Sequence, residues 1–152
     1  MNIGVIFAGG VGSRMGMVGR PKQFVEVNGK PIIVHTIEHF EKCADVDKVV
    51  VVCLVNWIEY MWSLVEAYSL QKVVAVVPGG ATSQESIYQG LIAARQISDA
   101  SDTIVLIHDG VRPLIDQQLL ITCIDGVKQY GSAIACAQMT ETSIRFRDGQ
   151  IV

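Results

Sequence analysis

The chain alternates between short, almost uninterrupted apolar runs and longer segments in which apolar residues recur every three or four positions. The short runs are rich in Val, Ile and Ala, which is typical of strands buried on both faces of a parallel sheet. They predict β-strands at Asn2–Ala8, Lys48–Val55, Lys72–Pro78, Thr103–His108 and Ser132–Met139. Because helical segments separate the strands, we expect a three-layer α/β fold with helices on both faces of the sheet.

Four helices are predicted between these strands. They cover Pro31–Lys42, Asn56–Tyr68, a segment that begins after Thr82, and a segment from Asp116 to about Tyr130. Asn56 and Asp116 carry side chains that cap a helix N-terminus. Thr82 and Glu85 match the capping box, in which two side chains satisfy backbone amides of the first turn. Near the end of the chain, a β-hairpin is predicted from Thr142–Arg147, the Asp148-Gly149 turn and Ile151-Val152.

Composition and charge restrict the function classes. With 152 residues, 50% of them hydrophobic and 18% charged, we expect one globular domain. The formal net charge of -3 argues against a general nucleic-acid binder. No apolar stretch approaches the roughly 20 residues of a membrane-spanning helix, so no membrane partner is expected. Four widely spaced cysteines predict buried free thiols in a reducing compartment, the cytoplasm: Cys43, Cys53, Cys123 and Cys136.

A glycine-rich, basic loop follows the first predicted strand, with the sequence AGGVGSRMGMVGRPKQF over residues 8–24. Glycines permit positive φ, so their backbone N–H groups can converge on an anion, and nearby cations add full positive charge. The residues that supply these properties are Gly9, Gly10, Gly12, Arg14 and Lys22. We therefore favour an anion-binding loop over the alternative, a glycine turn flanked by solvated basic side chains.

Two familiar phosphate-binding motifs do not match this loop. A dinucleotide fingerprint G-x-G-x-x-G that begins at Gly10 meets Met15 at its third glycine, and Asn56 stands where an acid would hold the ribose. A Walker A motif ending at Gly29-Lys30 would need a glycine where the chain has Phe24. The loop is therefore expected to bind its anion as part of a different kind of site.

Three further loops are expected beside the glycine loop, because the carboxyl ends of parallel strands meet at one edge of the sheet. They are a second glycine turn that opens a helix, an acid next to a glycine with an arginine three positions on, and a hydroxyl-rich turn, at residues 78–86, 108–113 and 140–142. Together they predict a nucleotide site with a divalent metal. Asp109 is the expected metal ligand, since Mg²⁺ binds carboxylate oxygens together with substrate phosphates.

These segments resemble a known family. The loop AGGVGSRMG, followed by Pro21-Lys22-Gln23-Phe24, resembles the signature of sugar-phosphate nucleotidyltransferases. With Pro78-Gly79-Gly80, the helix start Gln84-Glu85-Ser86 and the run HDGVRP from His108, it is similar to the polyol-phosphate cytidylyltransferases. That family includes the enzymes for 2-C-methyl-D-erythritol 4-phosphate and for ribitol 5-phosphate. The resemblance runs from Asn2 to the end of the chain, implies a Rossmann-like nucleotidyltransferase fold, and leans toward the ribitol branch.

The resemblance also implies a reaction and the residues that serve it. CTP and a polyol phosphate would give a CDP-polyol and pyrophosphate, with Mg²⁺ or another divalent cation as cofactor and a homodimer as the assembly. Ribitol 5-phosphate is the favoured acceptor and 2-C-methyl-D-erythritol 4-phosphate the next. The implied roles are catalysis by Arg14 and Lys22, nucleotide binding by Ala8, Gly9, Gly10, Gly12, Gly80, Ala81, Ser86 and Gly110, polyol-phosphate binding by Arg112 and Thr142, and metal binding by Asp109.

The chain departs from the family pattern in three ways. Ala81 stands where an acid is often found, and Ser83 stands where an arginine is found. The family's chains are also longer, so we expect residues 1–152 to form one nucleotidyltransferase domain that lacks its C-terminal part. A nucleotidyltransferase that uses another NTP, and a non-catalytic nucleotide-binding module, remain open alternatives. His35 and His39 share a helix face without a third ligand and are expected to be structural.

Overall fold

The structure is a computed structural model that describes residues 1–9, 20–138, 144, 146–147 and 150–151. Its central sheet has four parallel strands in the order β5-β4-β1-β6. Their bounds are β1 Asn2–Ala8, β4 Lys48–Cys53, β5 Val73–Pro78 and β6 Ile104–Asp109. Two short antiparallel pairs accompany the sheet, formed by β2 Glu26–Val27 with β3 Lys30–Pro31 and by β7 Phe146–Arg147 with β8 Gln150–Ile151. The first four predicted strands are therefore confirmed, with ends that differ by at most two residues.

In the part of the chain that the structure describes, four α-helices cover the sheet: α1 Ile32–Lys42, α2 Ile58–Ala67, α3 Ser83–Ile97 and α4 Gln117–Tyr130. Short 3₁₀ helices occupy Lys22–Phe24 and Val55–Trp57. Side chains of α1, α2 and α4 share one core cluster with the sheet, whereas side chains of α3 belong to a second cluster. The predicted three-layer α/β fold is confirmed. Among the described residues, no helix is long and apolar enough to cross a membrane.

Strand β1 shows how the two core layers arise from one sequence. Its side chains alternate between faces, so Ile3 and Val5 pack on the α3 side and Ile6 and Ala8 on the opposite side. All four are almost completely buried. Helix α1 packs against the second of these faces through Ile33, Ile37 and Phe40, which have no exposed surface.

Two of the three predicted helix starts are confirmed by their hydrogen bonds. In the capping box of α3, the Glu85 amide donates to Thr82 Oγ1 at 3.1 Å and the Thr82 amide donates to Glu85 Oε2 at 3.4 Å. Asp116 caps α4 by accepting from the Leu119 amide at 2.7 Å. The prediction that Asn56 caps α2 is wrong. Asn56 lies inside a 3₁₀ turn, and α2 begins after Trp57, whose ring stacks on Phe24 with centroids 4.9 Å apart.

The predicted strand Ser132–Met139 is also wrong for residues 132–138, which form no strand and are exposed. A strand is stable when it pairs along an edge and buries one face, and this run of small residues leaves even Ile134 88% exposed. Cys136 belongs to this run, so it is exposed, although we predicted four buried thiols. All four cysteines are free, with Cys43 and Cys53 buried and Cys123 half-buried. The C-terminal hairpin is confirmed at β7 and β8; residues 142–143, 145, 148–149 and 152 of the predicted hairpin lie outside the described part.

Candidate nucleotide-binding site

The strands of the sheet end at one level, which brings their following loops together. In the register of the sheet, Ala8 pairs with Cys53 and Cys53 with Pro78, while Phe7 pairs with Asp109. The glycine segments after β1 and β5 and the acidic loop after β6 therefore leave from a single edge. This is the edge at which open α/β sheets bind ligands.

Ser86 joins the first and second glycine segments. Its side chain is almost fully buried, and its hydroxyl donates to the Thr82 carbonyl at 3.0 Å and accepts from the Gly80 amide at 3.1 Å. A Cβ on Gly79 would lie 2.8 Å from the Ser86 Oγ, and a Cβ on Gly9 would lie 3.0 Å from it. Only glycine lets both backbones approach this hydroxyl, so Gly9, at the end of β1, and the turn after β5 meet at Ser86.

Two backbone amides of the second glycine turn donate to the Glu85 carboxylate. The Ala81 amide donates to Glu85 Oε2 at 2.7 Å, and this oxygen also accepts from Thr82. Ala81 and Ser83 are exposed, so the positions at which the chain departs from the family pattern face solvent beside the turn. The carboxylate lies at the positive end of the α3 dipole, where a negative charge is stabilising.

The acidic loop after β6 is held by its own hydrogen bonds. Asp109 Oδ1 accepts from the Val111 amide at 3.1 Å, and Oδ2 lies 3.3 Å from the Arg112 Nε. The Asp109 side chain is about one quarter exposed and that of Arg112 about three quarters. His108 lies beneath them, with Nε2 2.9 Å from the Arg112 carbonyl oxygen. This contact ties the end of β6 to the far side of the acidic loop.

Gly110 connects the acidic loop to β1 and α1. Its amide donates to the Phe7 carbonyl at 3.0 Å, and a Cβ on it would lie 3.2 Å from the Ala8 Cβ. Its carbonyl accepts from Thr36 Oγ1 at 3.0 Å, and Thr36 is completely buried. Sequence reasoning missed Thr36. Thr36 lies three residues after Ile33 and four before Phe40, so the helical period places it on the apolar face, but nothing local indicates its partner Gly110.

Lys22 lies on the 3₁₀ helix that follows the basic loop, with a partly exposed side chain. The next residue, Gln23, is completely buried and donates from Nε2 to the Ala8 carbonyl at 2.6 Å. Phe24 is buried between Trp57 and Tyr60, with ring centroids 4.9 and 5.2 Å away. Gln23 was part of the quoted motif, but sequence reasoning gave it no role.

The structure places most of the predicted site residues at this edge. Those described are Ala8, Gly9, Lys22, Gly80, Ala81, Ser86, Asp109, Gly110 and Arg112. Four predicted site residues lie outside the described part: Gly10, Gly12, Arg14 and Thr142.

Asp109 is the acidic candidate for a cation at this edge. Within the described ranges, no group of three or more His, Cys, Asp or Glu side chains is arranged to hold a metal ion. Mg²⁺ is commonly held by one or two carboxylates and completed by water and substrate phosphates, so a single partly exposed Asp109 fits this mode. His35 meets the structural expectation, with Nε2 2.9 Å from the Val27 carbonyl oxygen.

Comparison with known proteins agrees with this geometry. A family model described as "IspD: 2-C-methyl-D-erythritol 4-phosphate cytidylyltransferase" matches residues 3–152. A ribitol-5-phosphate cytidylyltransferase of Streptococcus agalactiae is 55% identical over 148 residues, which cover 97% of this chain and 62% of that protein. A 2-C-methyl-D-erythritol 4-phosphate cytidylyltransferase of Clostridium acetobutylicum is 37% identical over 151 residues, covering 98% and 63%.

A solved structure shares the fold. It is the 4-diphosphocytidyl-2C-methyl-D-erythritol synthase of Anaerococcus prevotii, with a TM-score of 0.79 at 21% identity, covering 99% of this chain and 62% of that one. The chain spans the same share, 62%, of the length of the S. agalactiae relative. The match of the family model over almost all of its residues shows that the chain belongs to the IspD family, the family of 2-C-methyl-D-erythritol 4-phosphate cytidylyltransferase.

Proposed function

We propose that the protein transfers the cytidylyl group of CTP to a polyol phosphate and releases pyrophosphate. A phosphate oxygen of the acceptor forms a bond to the α-phosphorus of CTP, and the bond from that phosphorus to the bridging oxygen of the leaving pyrophosphate breaks. Ribitol 5-phosphate is the proposed acceptor, because the relative of that name is 55% identical, against 37% for the 2-C-methyl-D-erythritol 4-phosphate enzyme. The latter substrate is the second candidate.

The observation that carries the proposal is the meeting of two glycine segments and one acidic loop at a single edge of the sheet. Gly9 and Gly79 both approach Ser86 closely, and the register of the sheet brings the loop of Asp109 and Gly110 to the same edge, which supports a nucleotide site there. Family membership supplies the chemistry for which such a surface is suited.

The cationic residues and the neutral residues at this edge have different proposed roles. Lys22, with Arg14 from the preceding loop, stabilises the negative charge that grows on the α-phosphate and the leaving pyrophosphate. Gly80, Ala81 and Ser86 contact the cytidine, and Gly110 lies against its ribose. A phosphate oxygen is already a good nucleophile at neutral pH, so no general base is assigned, and positioning accounts for much of the catalysis.

Asp109 would hold Mg²⁺, which when bound neutralises charge on the triphosphate. Its two oxygens are already oriented by the Val111 amide and the Arg112 guanidinium. Arg112 is mostly exposed, which suits it to bind the phosphate of the acceptor together with Thr142. The homodimer and the cytoplasmic location implied by the resemblance stay predictions.

Nucleotide selectivity and product formation test this proposal. We expect CTP with Mg²⁺ to raise the melting temperature more than UTP, GTP or ATP does, and EDTA to remove the effect. We expect CDP-ribitol and pyrophosphate to form from CTP and ribitol 5-phosphate, detected by mass spectrometry. Stabilisation by UTP but not CTP would favour a different nucleotidyltransferase. Nucleotide binding without product from either polyol phosphate would favour a non-catalytic module.

A matched pair of variants tests the metal role. Asp109→Asn keeps the shape of the side chain but removes the anionic ligand, so we expect CTP binding to lose its dependence on Mg²⁺ in calorimetry. Asp125→Asn removes an exposed carboxylate on α4, paired with Lys128, and should leave binding unchanged. Equal Mg²⁺ dependence in the Asp109 variant and the parent would make Asp109 a structural residue.

A further inference from the structure

Gln23 is a buried polar side chain next to a proposed catalytic lysine. It has no exposed surface. Its Oε1 accepts no hydrogen bond from the described residues. An unpaired buried acceptor destabilises the folded state, and an apolar side chain of similar size would avoid that cost. The amide therefore stands at this position at some cost to stability, which points to a use for its other end.

That other end ties together two distant parts of the chain. Gln23 Nε2 donates to the carbonyl of Ala8, the last residue of β1, over 15 positions of sequence, with a donor–acceptor distance of 2.6 Å. Gln23 directly follows Lys22, so this hydrogen bond links the backbone of the lysine to the strand that begins the glycine loop. The hydrogen bond therefore joins the beginning and the end of the segment that runs from Ala8 to Lys22.

The flanking contacts make this link a rigid one. Phe24 is fully buried and stacks on Trp57, and its amide donates to the Pro21 carbonyl at 3.0 Å. The Val25 amide donates to the Lys22 carbonyl at 3.2 Å. The backbone of Lys22 is thus held by the tight turn and by the aromatic cluster, and Gln23 determines its distance from the end of β1.

We propose that Gln23 is a positioning residue, which fixes the Lys22 backbone against the end of β1 so that the lysine ammonium meets the α-phosphate of CTP. This rests on the proposed function for its catalytic consequence. The geometric part, a link between Ala8 and the Lys22 turn, is independent of any substrate. A misplacement of about 1 Å by a change outside the reacting groups can lower turnover by a factor of about 100.

A double-mutant cycle separates positioning from mere core packing. Gln23→Met keeps the volume of the side chain and removes the donor, and we expect kcat to fall about 10- to 100-fold with little change in the KM for CTP. In a Lys22→Ala background the same change should cost less than about twofold, because the lysine through which Gln23 acts is gone. An equal loss in both backgrounds would overturn the positioning role. Gln118→Met, on the exposed face of α4, is the control.

Hydrogen exchange tests the link without substrate and without turnover. In the unmutated protein, the side-chain amide protons of Gln23 should exchange slowly, and exchange as fast as for a free glutamine would overturn the proposal. In Gln23→Met, the amides of Phe24 and Val25 should exchange at least about tenfold faster, while those of α4 stay unchanged. Unchanged rates at Phe24 and Val25 would also overturn it. A parent protein that transfers no cytidylyl group would refute the proposed function, and these exchange rates would still decide the link.

Discussion

Replacing Thr36 by Val removes one buried hydroxyl from the wall behind the acidic loop. Thr36 is completely buried, and its Oγ1 donates to the Gly110 carbonyl at 3.0 Å and lies 3.3 Å from the Ile32 carbonyl of its own helix. Valine has nearly the same shape, so the change leaves no cavity. The Ile32 carbonyl keeps its place in the hydrogen-bond ladder of α1, whereas the buried Gly110 carbonyl loses its side-chain donor.

The expected loss follows from that unpaired carbonyl. Leaving a buried acceptor without its partner costs about 1–3 kcal/mol in the free energy of unfolding. For a domain of this size, each kcal/mol lowers the melting temperature by about 2–4 °C, so we expect a decrease of roughly 2–12 °C. Urea unfolding followed by tryptophan fluorescence measures the free energy, since Trp57 and Trp62 both lie at α2. Mg²⁺-dependent CTP binding should weaken as well, because Gly110 adjoins Asp109.

Thr122 offers a matched control on α4. Its Oγ1 donates to the Gln118 carbonyl one turn earlier, at 2.8 Å, and it lies on an exposed surface. Thr122→Val removes the same kind of hydroxyl without stranding a buried acceptor, so its effect should stay within about 0.5 kcal/mol. If Thr36→Val unfolds with the same free energy as Thr122→Val, the hydrogen bond to Gly110 does not stabilise the loop and the reasoning fails.

Three further predictions concern the core, a buried thiol and the proposed catalytic lysine. Gly90→Ala should lower the free energy of unfolding by about 1–3 kcal/mol in a urea titration, because a Cβ there would lie 2.4 Å from the Val5 Cγ1; a stabilised variant would contradict this. Burial raises the pKa of the Cys53 thiol from 9.0 to about 11. Because the folded protein holds the thiol proton more tightly than the unfolded chain does, the contribution of Cys53 to stability should be complete below pH 9 and be lost as the pH rises toward 11. The difference in stability between parent and Cys53→Ala measures this, and a difference independent of pH over that range would refute it. Lys22→Ala should lower kcat for cytidylyl transfer about 100-fold or more, against no change in Lys128→Ala, and full turnover would exclude its catalytic role.

Features encoded by neighbouring residues were predictable from the sequence. The capping box of Thr82 and Glu85 forms as expected because both partners lie within one helical turn. Strand β1 has the predicted bounds, since an apolar run that ends at a glycine pair has one plausible length. The gathering of glycine and acidic loops at one edge followed from the parallel order of the strands.

Features that depend on distant contacts were not predictable in the same way. Asn56 has the right side chain for a cap, yet the stacking of Trp57 on Phe24 determines where α2 begins. Residues 132–138 have strand-like composition but pair with no strand in the described structure. The hydrogen bonds of Gln23 and Thr36 join residues that are 15 and 74 positions from their acceptors, and no local pattern indicates them.

The capping box of α3 makes the two ends of the proposed nucleotide site differ in charge. A helix N-terminus ordinarily attracts anions, but here the Glu85 carboxylate already accepts from the amides of Ala81 and Thr82, and Thr82 accepts from that of Glu85. A phosphate brought to this point would meet a negative charge and few free donors. An uncharged pyrimidine base would not be repelled by the carboxylate and would not depend on those donors. If the protein binds CTP as proposed, this one acidic side chain on α3 would repel the triphosphate toward the cations that follow β1, and the nucleotide would have a single favourable direction across the sheet edge.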